Sequence, residues 1–209
     1  MKKAVSLAIA FLLFFALSAS AVEPIPAPPF SVEVPAEGYA QVMFDQGYNL
    51  YQAGRKEEAI QFFIEAVTTK PDFTKAWTWL ARTYQEENML NEAIWAWRKV
   101  LELEPGNSQA KYFLEKCENW KKYGKEPWEA YEQGYLFYEQ QDYFQAIEYF
   151  NKAISQNPQM DKAYYWLGIA NLEVGDYHQA EWALEKYLSF HPDDANVQYW
   201  LRVAKSRAN

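Results

Sequence analysis

Cysteine is almost absent from this chain of 209 residues, and histidine and positive charge are scarce. The single Cys, Cys117, cannot form an internal disulfide, so stability has to come from packing. With two His and one Cys, no cluster has the spacing of a metal site, and we expect no bound metal. The formal net charge of −8 opposes contact with phosphate backbones, which argues against nucleic acid as a partner.

Sequence patterns that carry catalytic chemistry are missing as well. The chain has no HExxH, no CxxC, no glycine-rich phosphate loop and no G-x-S-x-G. The adjacent acids at 57–58 and 193–194 lie at a helix start and a helix junction, where the helix dipole and solvation explain them. We therefore expect no enzymatic activity and no cofactor.

Long apolar runs are confined to the N-terminus. Lys2 and Lys3 precede an apolar stretch over 4–17, and the small-x-small pattern Ala-Ser-Ala follows at 19–21. This order predicts a signal peptide over 1–21 and an exported, periplasmic or extracellular protein. The alternative is an uncleaved segment that tethers the protein to a membrane. Residues 22–37 then hold five of the ten prolines and predict an extended spacer.

After residue 37 the chain repeats itself with a period of 34 residues. When the four repeats are aligned, each has an alanine at the same position. Each also has a small residue twelve positions before that alanine and a proline twelve positions after it. These sets are Ala59, Ala93, Ala146 and Ala180; Gly47, Ala81, Gly134 and Gly168; and Pro71, Pro105, Pro158 and Pro192. Small residues allow two antiparallel helices to approach closely, and each Pro ends a second helix. Asp142, Asp161 and Asp176 are placed to cap helix starts.

This pattern resembles the tetratricopeptide repeat, a helix–turn–helix unit of 34 residues. The resemblance implies an all-α solenoid with four full repeats, over 40–73, 74–107, 127–160 and 161–194. A clear departure is Tyr187, which stands where the family has a small residue.

The whole pattern is duplicated with an offset of 87 residues. Each half ends in a lone first-type helix, and Tyr112 in the first half corresponds to Tyr199 in the second. We expect half one over 38–122, with its lone helix at 108–122, and half two over 127–209, with its capping helix at 195–207. A junction over 123–126 joins them, and we expect contact there because Tyr123 and Trp128 flank it.

The resemblance also implies a binding face. In this family the first helices of the repeats line a concave groove, and the residues carried over to it here are mostly aromatic. They are Phe44, Tyr48, Tyr51, Arg82, Tyr112, Lys116, Tyr131, Tyr135, Tyr138 and Tyr165. The alternative is that these rings pack against neighbouring helices. By contrast, Phe63, Trp97, Phe150, Trp79 and Trp166 are expected in the core.

Trp95 and Trp182 fall on the opposite, convex side. They are interpreted either as a packing ridge or as a second contact surface.

These features predict a non-enzymatic scaffold outside the cytoplasm, which binds an extended peptide or a partner helix in the groove during cell-envelope assembly. One alternative is a glycan-binding module that stacks Tyr and Trp on sugar rings. Another is a structural protein that self-associates through the convex Trp pair. The expected partner is a protein or peptide, and membrane contact would come only from an uncleaved signal.

Overall fold

The computed structural model describes residues 35–208 and contains ten α-helices and no strand within that range. The predicted signal peptide and most of the proline-rich spacer lie outside the described residues. The helices are α1 (Ala36–Gln52), α2 (Lys56–Thr69), α3 (Thr74–Glu86), α4 (Leu90–Leu103), α5 (Ser108–Tyr123), α6 (Lys125–Glu139), α7 (Tyr143–Gln156), α8 (Asp161–Val174), α9 (Tyr177–Phe190) and α10 (Ala195–Ala208).

The predicted all-α repeat architecture is confirmed: α1–α2, α3–α4, α6–α7 and α8–α9 are helix pairs, and α5 and α10 follow singly. Within each pair, the two helices approach each other closely at the predicted small residues. Ala59 and Ala146 have no exposed surface, and Gly47 and Gly134 lie against the rings of Phe63 and Phe150.

The first helix begins earlier than expected. The spacer was predicted to reach residue 37, but α1 starts at Ala36, directly after Pro35. Pro35 is the N-cap and its carbonyl accepts a hydrogen bond from the Tyr39 N–H, and Glu37 in the first turn complements the helix dipole. No helix within residues 35–208 is long and apolar enough to span a bilayer.

Two of the three predicted helix caps are confirmed. Asp142 accepts a hydrogen bond from the Gln145 N–H, and Asp176 accepts one from the Gln179 N–H. Asp161 has a different role, because it is the first residue of α8 and its carboxylate turns to two side chains from other elements.

Most of the residues expected in the core are there, and two are not fully enclosed. Phe63 and Phe150 have no exposed surface, and Trp97 is 1% exposed. Trp79 and Trp166 are only half-buried, because each ring lies where two first helices of successive pairs meet. We call the surface formed by α1, α3, α5, α6, α8 and α10 the first-helix face.

Candidate binding cleft between α5 and α6

A cleft of about 730 Å³ opens on the first-helix face where α5 meets α6. The two helices are joined by one residue, Gly124, with φ 96° and ψ 153°. This backbone region is essentially restricted to glycine. The cleft exists because no second helix follows α5, so α6 lies beside it directly. Its walls are Tyr112, Glu115, Lys116 and Asn119 of α5, Trp128, Tyr131, Glu132, Gln133, Tyr135, Leu136 and Glu139 of α6, and Lys162 of α8.

An ion pair spans the cleft between the two helices. Lys116 Nζ lies 2.8 Å from a carboxylate oxygen of Glu132, and both side chains are largely buried. Burial lowers the pKa of Lys116, but the hydrogen bond and charge of Glu132 outweigh it, so the pKa is raised. The same ammonium lies 5.7 Å from the ring centre of Tyr112 and 5.4 Å from that of Trp120. Lys116 is therefore engaged on several sides by the protein itself.

Stacked aromatic rings form the floor of the cleft. Trp128 is 6% exposed and stacks on Tyr123, with ring centres 5.9 Å apart and planes 9° apart. The Tyr131 ring centre lies 4.8 Å from that of Trp128, and Lys162 Nζ lies 5.1 Å from the Trp128 ring centre. The expected contact between Tyr123 and Trp128 at the junction is thus present. These contacts fix the floor rings before any ligand arrives.

The rim of the cleft is apolar and open to solvent. Tyr112 is 53% exposed, Leu136 48% and Tyr135 37%. The Tyr135 ring rests edge-on against Trp166, with ring centres 4.9 Å apart. Exposed rings above a packed aromatic floor are the usual form of a pocket that takes apolar side chains.

A polar network behind the floor holds the two halves together. The Tyr123 hydroxyl donates to one carboxylate oxygen of Asp161 at 2.5 Å, and His191 Nε2 lies 2.6 Å from the other. The Asn157 side chain donates to the Tyr123 carbonyl at 2.7 Å. Burial raises the pKa of Asp161, but the hydrogen bonds from Tyr123 and His191, with the nearby charge of Lys122, outweigh it and lower the pKa. The network links α5 to α8 and to the loop before α10.

Six of the predicted groove residues, on α5, α6 and α8, fall into two depressions. Four of them, Tyr112, Lys116, Tyr131 and Tyr135, line the cleft. Tyr138 and Tyr165 line a smaller pocket of about 280 Å³ beside Trp166, together with Ile169, Leu172, Glu173 and Trp200. Tyr138 lies 4.8 Å from Trp166, so this tryptophan contacts the rings of both depressions.

The predicted groove residues on α1 and α3 are packed differently, and one prediction is wrong. Phe44 is 2% exposed and lies in the core against Phe63 and Phe73, because its ring has no polar group that needs water. Lys75 Nζ lies 4.7 Å from the Phe44 ring centre on the outer side.

Tyr48 and Tyr51 are half-buried and pack edge-on against Trp79, at 4.9 and 5.0 Å. The Tyr51 hydroxyl donates to Glu86, and the Arg82 guanidinium lies 5.1 Å from the Trp79 ring. On α1 and α3 the packing interpretation of the aromatic residues describes the contacts better than the binding one.

Leu136, Glu115, Glu132 and Gln133 are among the cleft residues that were not predicted. In α3, α5 and α8, the position equivalent to Leu136 is buried against the preceding helix pair, as at Thr83 and Cys117. No second helix precedes α6, so Leu136 is left uncovered. The interruption of the repeat pattern between the two halves was the sequence signal from which the exposure of Leu136 could have been predicted.

The two convex tryptophans are each about half exposed and half packed. Trp95 is 49% exposed and meets Trp77 edge-on at 4.9 Å, and Trp182 is 42% exposed and meets Tyr164 at 5.7 Å. The contacts and exposure of this pair are therefore consistent with both interpretations, a packing ridge and a second contact surface.

Comparison with known proteins finds repeats in both halves. Two family models, both described as tetratricopeptide repeat, match the chain: one at 40–73 and 74–107, the other at 137–201. Among solved structures, MamA from Desulfovibrio magneticus RS-1, from its residue 41 to its end, is 17% identical, with 81% of this chain and 85% of that chain covered and a TM-score of 0.35.

Two further structures are similar at the same level. YrrB, described as a TPR protein with an unusual peptide-binding site, is 16% identical over 78% of this chain and 97% of its own, with a TM-score of 0.40. PilW, described as a type IV pilus biogenesis factor, is 16% identical over 81% of this chain and 87% of its own, with a TM-score of 0.39. Similarity at this level carries no information about the ligand of the present chain.

Proposed function

Because the chain belongs to the tetratricopeptide-repeat family, we propose that it is a non-enzymatic interaction scaffold that binds a partner protein in the α5–α6 cleft. The observation that carries this proposal is the exposed rim of Tyr112, Tyr135 and Leu136 above the packed floor of Trp128 and Tyr131. The bound element is an extended peptide or a helix of the partner.

The physical support for this site is its preorganisation. A tyrosine offers a large apolar ring, a hydroxyl and few rotatable bonds, so it binds at a low cost in conformational entropy. Here Tyr131 and Trp128 are already held by neighbouring rings, and Tyr135 by Trp166. Apolar side chains of a partner would bury this rim at about 25 cal/mol per Å² of apolar surface removed from water.

The test of the cleft compares two exposed aromatic residues. Tyr135→Ala should abolish capture of the partner from an envelope extract and leave the melting temperature nearly unchanged. Phe144→Ala is the matched control, because Phe144 is 75% exposed on α7 and lies outside the cleft. Equal capture by both variants would count against the cleft. Binding of soluble cell-wall oligosaccharides in place of any peptide would favour the glycan-binding alternative.

The proposed place of action is outside the cytoplasm, in assembly of the cell envelope. Support comes from the sequence of residues 1–21, with its basic start, apolar core and small-x-small end. Cell fractionation and N-terminal sequencing test this. We expect an exported chain that begins at Val22, whereas an intact N-terminus in the membrane fraction would favour the tethered form.

A further inference from the structure

We infer that the segment bound in the α5–α6 cleft carries a positively charged side chain between apolar ones. This inference rests on the proposed function and names the chemistry of the partner segment. A basic side chain would place its charge beside the carboxylates of Glu115 and Glu139 and lie on the exposed rings of Tyr112 and Tyr135.

The first support is the distribution of accessible charge in the cleft. Its two ammonium groups are engaged: Lys116 pairs with Glu132, and Lys162 lies on the Trp128 ring. Glu115 and Glu139 are exposed, and the ion pairs found among residues 35–208 involve neither of them; Glu139 accepts a hydrogen bond from the Tyr135 hydroxyl. A ligand entering the cleft therefore meets carboxylates first.

The second support is the effect of Glu115 on a neighbouring group. Burial is the main reason why the pKa of Tyr131 is raised to about 12, and the charges of Glu115 and Asp161 add to it. A negative environment disfavours the phenolate, and the same environment favours an incoming cation.

The third support is that the cleft rings already accept cations. Lys116 lies over Tyr112 and Lys162 over Trp128, at 5.7 and 5.1 Å from the ring centres. Such contacts contribute favourably even at exposed sites, and arginine makes them more often than lysine. The exposed faces of Tyr112 and Tyr135 offer further positions of the same kind.

Charge also distinguishes three possible occupants of the cleft, which are the chain's own residues 22–34, a second copy of the chain, and a segment of a different protein. The chain's own residues 22–34 contain Glu23 and Glu33 and no basic residue, so they carry the same sign of charge as Glu115 and Glu139. A second copy is also disfavoured, because the chain as a whole is acidic, with a formal net charge of −8. A basic segment of a different protein is the occupant that complements both the cleft and the long-range field of the molecule.

The experiment is a selection from a phage-displayed library of random dodecapeptides against the immobilised full chain. We expect the selected peptides to be enriched in Arg or Lys beside Leu, Phe or Tyr, relative to the unselected library. Selected peptides that are neutral or acidic would overturn the inference and leave the cleft as a peptide site. The absence of any selected peptide would overturn the proposed function, and the inference with it.

Two variants test whether the carboxylates select the charge. The double variant Glu115→Gln, Glu139→Gln should bind the best basic peptide about tenfold more weakly, because it loses both charge partners. Glu148→Gln is the control, since Glu148 is an exposed acid of α7 outside the cleft. An unchanged affinity in the double variant would overturn the assignment of the charge to Glu115 and Glu139.

Discussion

Phe150 lies so close to Gly134 that a methyl group at position 134 has no room. A Cβ built there would be 2.7 Å from two ring carbons of Phe150, a side chain with no exposed surface. Gly134→Ala should therefore lower the free energy of unfolding by about 1–3 kcal/mol, despite the better helix propensity of Ala. Urea denaturation measures this.

Gly106 provides the matched control for that substitution. Apart from atoms of Gly106 and its two chain neighbours, no heavy atom lies within 4 Å of a Cβ built at this position, and its φ is not in the left-handed region. Gly106→Ala should leave the midpoint of urea unfolding within experimental error. Equal effects of the two substitutions would show that close packing does not explain the glycine at position 134.

Cys117 is chemically protected in the folded state. The residue has no exposed surface, and burial raises the pKa of its thiol to about 12, with a smaller contribution from Glu118. Since the thiolate is the reactive form, we expect no labelling by a maleimide at neutral pH and full labelling in denaturant. Rapid labelling of the native protein would contradict the packing of α5.

At the scale of elements, the Asp161 carboxylate connects α5 to α8. Its lowered pKa means that its stabilising contribution is present above the usual value of 3.8 and is lost as the pH falls below it. At neutral pH, Asp161→Asn should cost about 1.5–3 kcal/mol, because two hydrogen bonds to a charged group are weakened.

The pH dependence separates this role from simple packing. The stability difference between wild type and Asp161→Asn should shrink as the pH is lowered toward 3, in chemical denaturation at a series of pH values. Asp193→Asn is the control, because Asp193 is exposed and makes no hydrogen bond with another described residue. A difference that stays constant with pH would exclude the carboxylate charge as the cause.

The helix pairs could be predicted from sequence because their cause is local. The spacing of small residues and prolines fixes where helices approach and where they end, as at Gly134 and Ala146. The burial of Phe44 could not be predicted from this spacing. It shares a repeat position with Tyr131 and Tyr165, and the missing hydroxyl, with Phe63 and Phe73 around it, decides its burial.

The cleft was harder to predict because it depends on a joint between two elements. Its aromatic residues followed from the resemblance, but the single-residue connection at Gly124 and the exposure of Leu136 did not. Both result from the place where a second helix is missing, which changes what covers α6. Periodicity describes the repeats, and it says little about the point where the period breaks.

At the scale of the whole molecule, one cluster joins the two halves. Trp120, Tyr123 and Trp128 are buried together with Met160, and their rings lie between α5 and the second half. Trp120→Ala should cost about 3–5 kcal/mol and, since repeat stability depends on neighbour contacts, should split urea unfolding into two transitions. A single transition in the variant would show that the halves are coupled by other contacts.

The internal duplication gives several joint residues a counterpart 87 positions away. Trp120 corresponds to Arg207 on α10, Trp128 to Gln41 on α1 and Asp161 to Thr74 on α3, so these rings and the bridging carboxylate have no equivalents at those positions. One molecule therefore cannot be added to the next through the contacts that join the halves. Repeat proteins whose ends match can assemble head to tail into fibres. These three differences disfavour such assembly of this chain.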